Sequence, residues 1–312
     1  MIVLRRSDAH LCRCWFSGAP CFLVSRLGKT DVVNSYGRFA WYELMTSDID
    51  GAKDFYAKVV GWSTRDASSP GMTYVLFTVG ETVVAGLMRL QDDTRKMDAR
   101  PHWIGYVGVD DVDAAADRIK LRGGAVHVPP TDISNFSRFS VFTDPQTAAL
   151  GVLKWKRAGD RQPADMSGCG RVGWHELIAT DRESALAFYS ELFGWQQAGA
   201  DVNALGTYQL FSVGGETIGG MVTGPATMPA SFWLYYFNVG EIDAAANRVT
   251  AGGGQILGGA LELPGGSWVI QCADPQGAAF ALEGKRGRSP IGYFERVGSR
   301  DSSNSRGRRW SW

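Results

Sequence analysis

The chain of 312 residues repeats itself, and the repeat limits the folds open to it. Residues 37–62 and 170–195 share eleven of 26 positions at an offset of 133. Both stretches open Gly-Arg, pass through Trp-x-Glu-Leu, and close Phe-Tyr…Gly-Trp. At an offset of 130 the match continues: Trp103 with Trp233, Val109 with Val239, Asp113-Ala-Ala-Ala with Asp243-Ala-Ala-Ala, Arg118 with Arg248, and Asp144-Pro-Gln with Asp274-Pro-Gln. A unit of this length repeated twice calls for two copies of one supersecondary design. The copies are placed at 37–155 and 170–283, with a polar linker at 156–169, an N-terminal extension at 1–36 and a tail at 284–312.

Each copy holds a second repetition. Arg38–Thr46 alternates as a strand, and a helix follows to about Val60 with Ala52, Phe55, Tyr56 and Val59 on one face. Ser47 with Asp50, and Thr180 with Glu183, have the spacing of a capping box, and Gly61 stands where a helix ends. Strands are expected near Trp62–Arg65 and at Met72–Val79 and Thr82–Leu90. The pattern then recurs: strand Trp103–Val109, helix Asp110–Arg122, strands Ala125–Val128, Phe136–Thr143 and Ala148–Trp155. The chain is therefore an α+β protein of four βαβββ modules, two per copy. Helices on one face of each sheet leave eight strands to curl around the other face as a cup.

Composition adds limits. Apolar residues make up 45% and charged residues 21%, enough to build a core without disulfide or metal staples. No run approaches 18 apolar residues, so no membrane helix is expected, and no secretory leader is expected either. The zero net charge conceals +3 on residues 1–36, +6 on 284–312 and −9 between them. An acidic middle disfavours nucleic acid as a partner of the folded part. The Arg-, Ser- and Gly-rich tail has the composition of a disordered segment, and the N-terminal extension is expected to be disordered too. Five cysteines, three of them Cys12, Cys14 and Cys21, read as reduced thiols. The expected location is the cytoplasm, or outside the cell without a signal peptide.

Several strings resemble one family: Gly37-Arg-Phe-Ala-Trp-Tyr-Glu-Leu-Met, Pro101-His-Trp, Val109-Asp-Asp-Val-Asp-Ala, Val128-Pro-Pro-Thr-Asp-Ile and Asp144-Pro-Gln. With paired βαβββ modules they resemble the vicinal oxygen chelate superfamily of glyoxalase I, extradiol dioxygenases, and fosfomycin- and bleomycin-resistance proteins. They are most similar to its tandem glyoxalase-like branch, of the hydroxylase and culture-filtrate antigen type. The resemblance covers about residues 37–283. It implies two tandem domains, each a curled eight-stranded mixed sheet with helices outside.

It also implies a divalent metal in each cup, held by His, Glu or Gln, that polarises vicinal substrate oxygens. The first ligand would stand seven residues before the helix-start Asp, at Trp41 and Trp174. The last-strand ligand would stand seven after the Asp of the Asp-Pro turn, at Gly151 and Ala281. None of these side chains binds a metal. Strand alternation places Trp41, Glu43 and Met45, and Trp174, Glu176 and Ile178, on the face that the resemblance makes the cup.

Candidate ligand-binding residues are therefore Trp41, Glu43, Met45, His102 and Trp103 in the first copy and Trp174, Glu176, Ile178 and Trp233 in the second. Core packing is the other reading for the tryptophans, with Trp41 and Trp174 the ones placed to stack on a planar ligand. Glu43 and Glu176 are the catalytic candidates; the alternative is a structural carboxylate bonded to nearby Tyr, Arg or backbone. His175 falls on the opposite side of its strand, as a structural histidine.

The favoured expectation is a small-molecule binder with no cofactor. One alternative is a metal-dependent lyase, isomerase or dioxygenase using zinc, nickel, manganese or iron with Glu43 and His102 as ligands. Another is a non-catalytic interaction protein or antigen. The assembly is expected to be a monomer with internal pseudosymmetry, or a homodimer.

Overall fold

A computed structural model describes residues 35–69, 71–90, 100–133, 136–156, 167–203, 206–228 and 230–287. Cys12, Cys14, Cys21, Asn135, most of the linker, nearly all of the N-terminal extension and most of the basic tail lie outside these residues.

The first copy runs β1 (Phe39–Thr46), α1 (Ile49–Val59), β2 (Ser63–Asp66), β3 (Tyr74–Val79), β4 (Thr82–Arg89), β5 (His102–Gly108), α2 (Val112–Leu121), β6 (Ala125–Ile133), β7 (Ser137–Thr143) and β8 (Ala149–Trp155). The second runs β9 (Val172–Ala179), α3 (Arg182–Phe193), β10 (Gln196–Asn203), β11 (Gly206–Val213), β12 (Glu216–Thr223), β13 (Phe232–Glu241), α4 (Ile242–Ala251), β14 (Gln255–Glu262), β15 (Ser267–Ala273) and β16 (Ala279–Lys285). Four βαβββ modules are thus present.

Each copy forms one mixed eight-stranded sheet, ordered β2-β3-β4-β1-β5-β8-β7-β6 and β10-β11-β12-β9-β13-β16-β15-β14. Within a module the first and last strands run parallel, as β1 with β4 and β5 with β8. The modules join through the antiparallel β1–β5 and β9–β13 pairs. None of the described helices is long and apolar enough to cross a membrane.

The helix caps differ from the expected boxes by one residue. Asp48 has the extended backbone of an N-cap, and its carboxylate accepts from Gly51 N. Asp181 likewise accepts from the amides of Glu183 and Ser184. Ser47 and Thr180 precede the cap, and a carboxylate beside free helix amides also gains from the helix dipole.

The helices lie outside each cup, each with one face buried in the core and the other exposed. The helix-side faces of both sheets contribute to a single hydrophobic cluster. Burying each large side chain there contributes roughly 1.5–3 kcal/mol. Phe55 of α1 packs against Phe280 of β16, with ring centroids 5.9 Å apart.

Reciprocal bonds tie the copies together. Tyr56 Oη donates to Asp274 Oδ2 at 3.2 Å, and its counterpart Tyr189 donates to Asp144 Oδ2 at 2.9 Å. Trp103 Nε1 donates to Tyr56 Oη, and Trp233 Nε1 to Tyr189 Oη. Trp62 Nε1 donates to Gly170 O, and Trp195 Nε1 to Gly37 O. Gly37 and Gly170 have φ of 75° and 77°, and a Cβ on either would run into the other copy. The repeated Gly-Arg, Phe-Tyr, Gly-Trp and Asp-Pro strings are thus largely the joint between copies.

Candidate functional site

The concave faces carry the remaining repeated residues. On β1, Tyr42, Leu44 and Thr46 point into the shared core, and Trp41, Glu43 and Met45 point into the cup. Their partners across the antiparallel pair are Tyr106, Ile104 and His102.

Glu43 is only 9% exposed, and both of its oxygens are engaged. Tyr74 Oη donates to Oε1 at 2.7 Å, and Tyr106 Oη donates to Oε2 at 3.0 Å. Glycine makes room for these rings. A Cβ on Gly86 would overlap Tyr74, and a Cβ on Gly151 would overlap the ring of Tyr106. Trp41 adds a hydrogen bond to Tyr74 and stands edge-on to Trp155, with centroids 5.9 Å apart.

The second cup repeats the arrangement. Glu176, 7% exposed, accepts from Tyr236 Oη at 2.6 Å and from Tyr208, with Gln271 Nε2 at 3.4 Å. Trp174 Nε1 donates to Tyr208 Oη at 2.8 Å.

Burial pushes both glutamates above the usual carboxylate range, and the tyrosine hydrogen bonds draw them part of the way back. Burial, and then the adjacent carboxylates, hold Tyr74, Tyr106 and Tyr236 well above the ordinary tyrosine value, so they remain donors. Each cup therefore offers a polar floor whose tyrosine protons are held by a carboxylate that can accept further, beside an indole wall.

The structure groups Trp41, Glu43 and Met45 with His102, which sits at the rim opposite Met45 with Nδ1 bonded to Arg100 O. It groups Trp174, Glu176 and Ile178 in the same way. Trp103 and Trp233 face away from the cups, buried in the shared core. His175 is in that core too, stacked on Phe39 at 3.8 Å.

The superfamily's ligand pattern finds no donors at Trp41, Trp174, Gly151 or Ala281, and Tyr106 covers Gly151. His102 pairs with Met45 and not with Glu43, whose partner in that register is Ile104. Among the described residues, no three His, Cys, Asp or Glu side chains converge.

The sequence patterns did not place Tyr74, Tyr106, Tyr208 or Tyr236 in the cups. Tyr106 and Tyr236 are repeated at the offset of 130 and share strand parity with Ile104 and Leu234, which was the available signal. Two outer grooves, about 430 and 380 Å³, flank α3 and α1. They correspond in place but not in chemistry, since Lys53 and Val75 of one are replaced by Leu186 and Gln209 in the other.

A family model described as Glyoxalase/Bleomycin resistance protein/Dioxygenase superfamily matches residues 38–150 and again 171–282. The chain belongs to that superfamily. Among its superfamily relatives, the "Putative glyoxylase CFP32" of Mycobacterium tuberculosis is 31% identical over 244 residues, spanning 78% of this chain and 92% of that protein. The "Anthracycline biosynthesis protein DnrV" of Streptomyces peucetius is 31% identical over 264 residues, spanning 79% and 92%. The superfamily fold recurs in the Mn(II)-bound glyoxalase from Novosphingobium aromaticivorans, at TM-score 0.53 and 15% identity over 81% of this chain and 83% of that one. It recurs also in 2,2',3-trihydroxybiphenyl 1,2-dioxygenase from Sphingomonas wittichii, at TM-score 0.57 and 12% identity over 80% and 91%. These structural likenesses establish the superfamily fold alone.

Proposed function

We propose that each cup binds a flat small molecule bearing hydroxyl or carbonyl oxygens, without the superfamily's resident metal. The observation that carries this reading is the Trp–Tyr–Glu–Tyr set on the concave face of both sheets. A buried carboxylate is costly, and packing alone does not call for it. Trp41 and Trp174 would stack on the ligand plane. The tyrosines, whose protons go to the glutamates, would hold the carboxylates in place, and the remaining lone pairs of the glutamates would accept from the ligand's hydroxyls. The relative named for anthracycline biosynthesis supports a fused-ring class of ligand.

The test is titration of the full chain with alizarin, a dihydroxyanthraquinone, followed by tryptophan fluorescence and thermal melting. Quenching is expected, with stabilisation of about 2.7 kcal/mol at a hundredfold excess over Kd. Trp41→Ala combined with Trp174→Ala should weaken binding at least tenfold. Absence of both responses would defeat the proposal. So would a stoichiometric zinc, nickel, manganese or iron ion that survives dialysis and is lost when Glu43 and Glu176 become alanine. That result would transfer the case to a metal-dependent lyase or dioxygenase.

A further inference from the structure

The two cups share a floor but not a wall. On β1, β3, β4 and β5 the cup-facing Trp41, Glu43, Tyr74, Gly86 and Tyr106 recur as Trp174, Glu176, Tyr208, Gly220 and Tyr236. On β7 and β8 the cup-facing residues are Phe139, Val141, Leu153 and Trp155. The counterparts on β15 and β16 are Val269, Gln271, Glu283 and Lys285. The first wall is apolar apart from Ser137, with Phe139 against Tyr106 and Trp155 against Trp41; the second keeps Val269 and adds amide, carboxylate and ammonium groups.

Both cups hold an apolar cluster, with Trp174, Ile178 and Val269 in that of the second, and the wall of the second cup adds polar contacts. In the first cup Trp41, Phe139, Val141 and Trp155 pack on Ile104, Tyr106 and Leu153 as one apolar cluster. In the second, Gln271 reaches Glu176, and Glu283 Oε1 accepts from Ser267 Oγ at 2.8 Å. Glu283 and Lys285 lie two residues apart on one strand face, so the charges of this wall offset each other. Such a wall selects for hydrogen bonds and not for net charge.

Resting on the reading of the cups as ligand sites, we infer that they have diverged in specificity. The first cup takes the flat ring system with its own ring oxygens and no further polar substituent. The second takes a ligand carrying a neutral, hydroxyl-rich substituent such as a glycosyl group, placed against Gln271, Glu283 and Lys285.

The test is calorimetric titration of the full chain with alizarin and with its monoglucoside. Alizarin is expected to fill one site per chain, weakened at least tenfold when Leu153→Glu and Trp155→Lys are introduced together. The glucoside is expected to fill the other site, weakened at least tenfold by Gln271→Val with Glu283→Leu. The exchange of Glu283→Leu with Lys285→Trp should create a second alizarin site. Two equivalent alizarin sites in the unaltered chain would overturn the divergence while leaving both cups as ligand sites; that measurement depends on no variant. Glucoside binding that ignores the second wall would overturn it too. No binding of either probe would remove the underlying reading together with this one.

Discussion

Tyr42 and His175 occupy the same position in the two copies, and they hydrogen-bond to each other. Tyr42 Oη lies 2.6 Å from His175 Nε2. His175 Nδ1 lies 2.6 Å from Ile218 O, an acceptor, so Nδ1 carries the proton and Nε2 accepts from the tyrosine. A second equivalent pair meets nearby, where Gly105 N donates to Tyr235 Oη and the Tyr235 ring fills the space a Cβ on Gly105 would need. The copies meet about a pseudo-twofold axis, and at the axis their sequences differ so that large faces small and donor faces acceptor.

Tyr42→Phe should cost about 1–2 kcal/mol, because it leaves a buried imidazole nitrogen without a donor. Urea unfolding at neutral pH measures this. A loss below a few tenths would mean that the pair adds nothing to the joint.

Acidification should weaken the fold through His175. Burial lowers its pKa to about 4, below the ordinary value of 6.5. Between these values the unfolded chain binds the proton and the folded chain does not, so stability rises with pH across the window. In thermal melts from pH 4 to 7, His175→Gln should flatten this slope.

The glutamates act with the opposite sign. Burial raises the folded pKa of Glu43 and Glu176, so the folded state holds protons that the unfolded chain releases. Their contribution to stability therefore falls as pH rises from the usual carboxylate value to the raised one, and is level above it. Glu43→Gln with Glu176→Gln should remove that fall, and melts at pH 5 to 8 will show whether it does. Glu43→Leu strands two tyrosine hydroxyls and should cost about 1–3 kcal/mol.

Tyr56→Phe and Tyr189→Phe should each cost about 1–3 kcal/mol, since each deprives a buried aspartate and a tryptophan N–H of their shared partner. Residues 35–156 expressed alone would expose the helix-side face that the second copy covers. Little cooperative unfolding is expected from this fragment, with recovery on mixing it with residues 167–287. A sharp, independent melt of the isolated fragment would contradict the shared core.

Gly151→Ala should displace the Tyr106 ring and cost about 1–3 kcal/mol through overpacking. The second cup already carries Ala281 at this position, so Ala281→Gly should leave the ring of Tyr236 in place. Tyrosine ring shifts in NMR spectra distinguish the two.

What the sequence alone determined was local or periodic. The offsets of 133 and 130 gave the duplication, two-residue alternation placed Trp41, Glu43 and Met45 on one face, and Gly, Pro and Asp marked the turns and helix starts. These follow from backbone geometry within a few residues, and a repeated string makes them visible twice. Tertiary structure decided the rest. Tyr106 reaches Glu43 across 63 residues and Tyr236 reaches Glu176 across 60, through sheet pairings that no local pattern encodes. It turned Trp103 and Trp233 into the core, and it made the most repeated strings into a joint between copies. An aromatic ring is recognised by type in a sequence, but the face that buries it depends on which distant strand lies opposite.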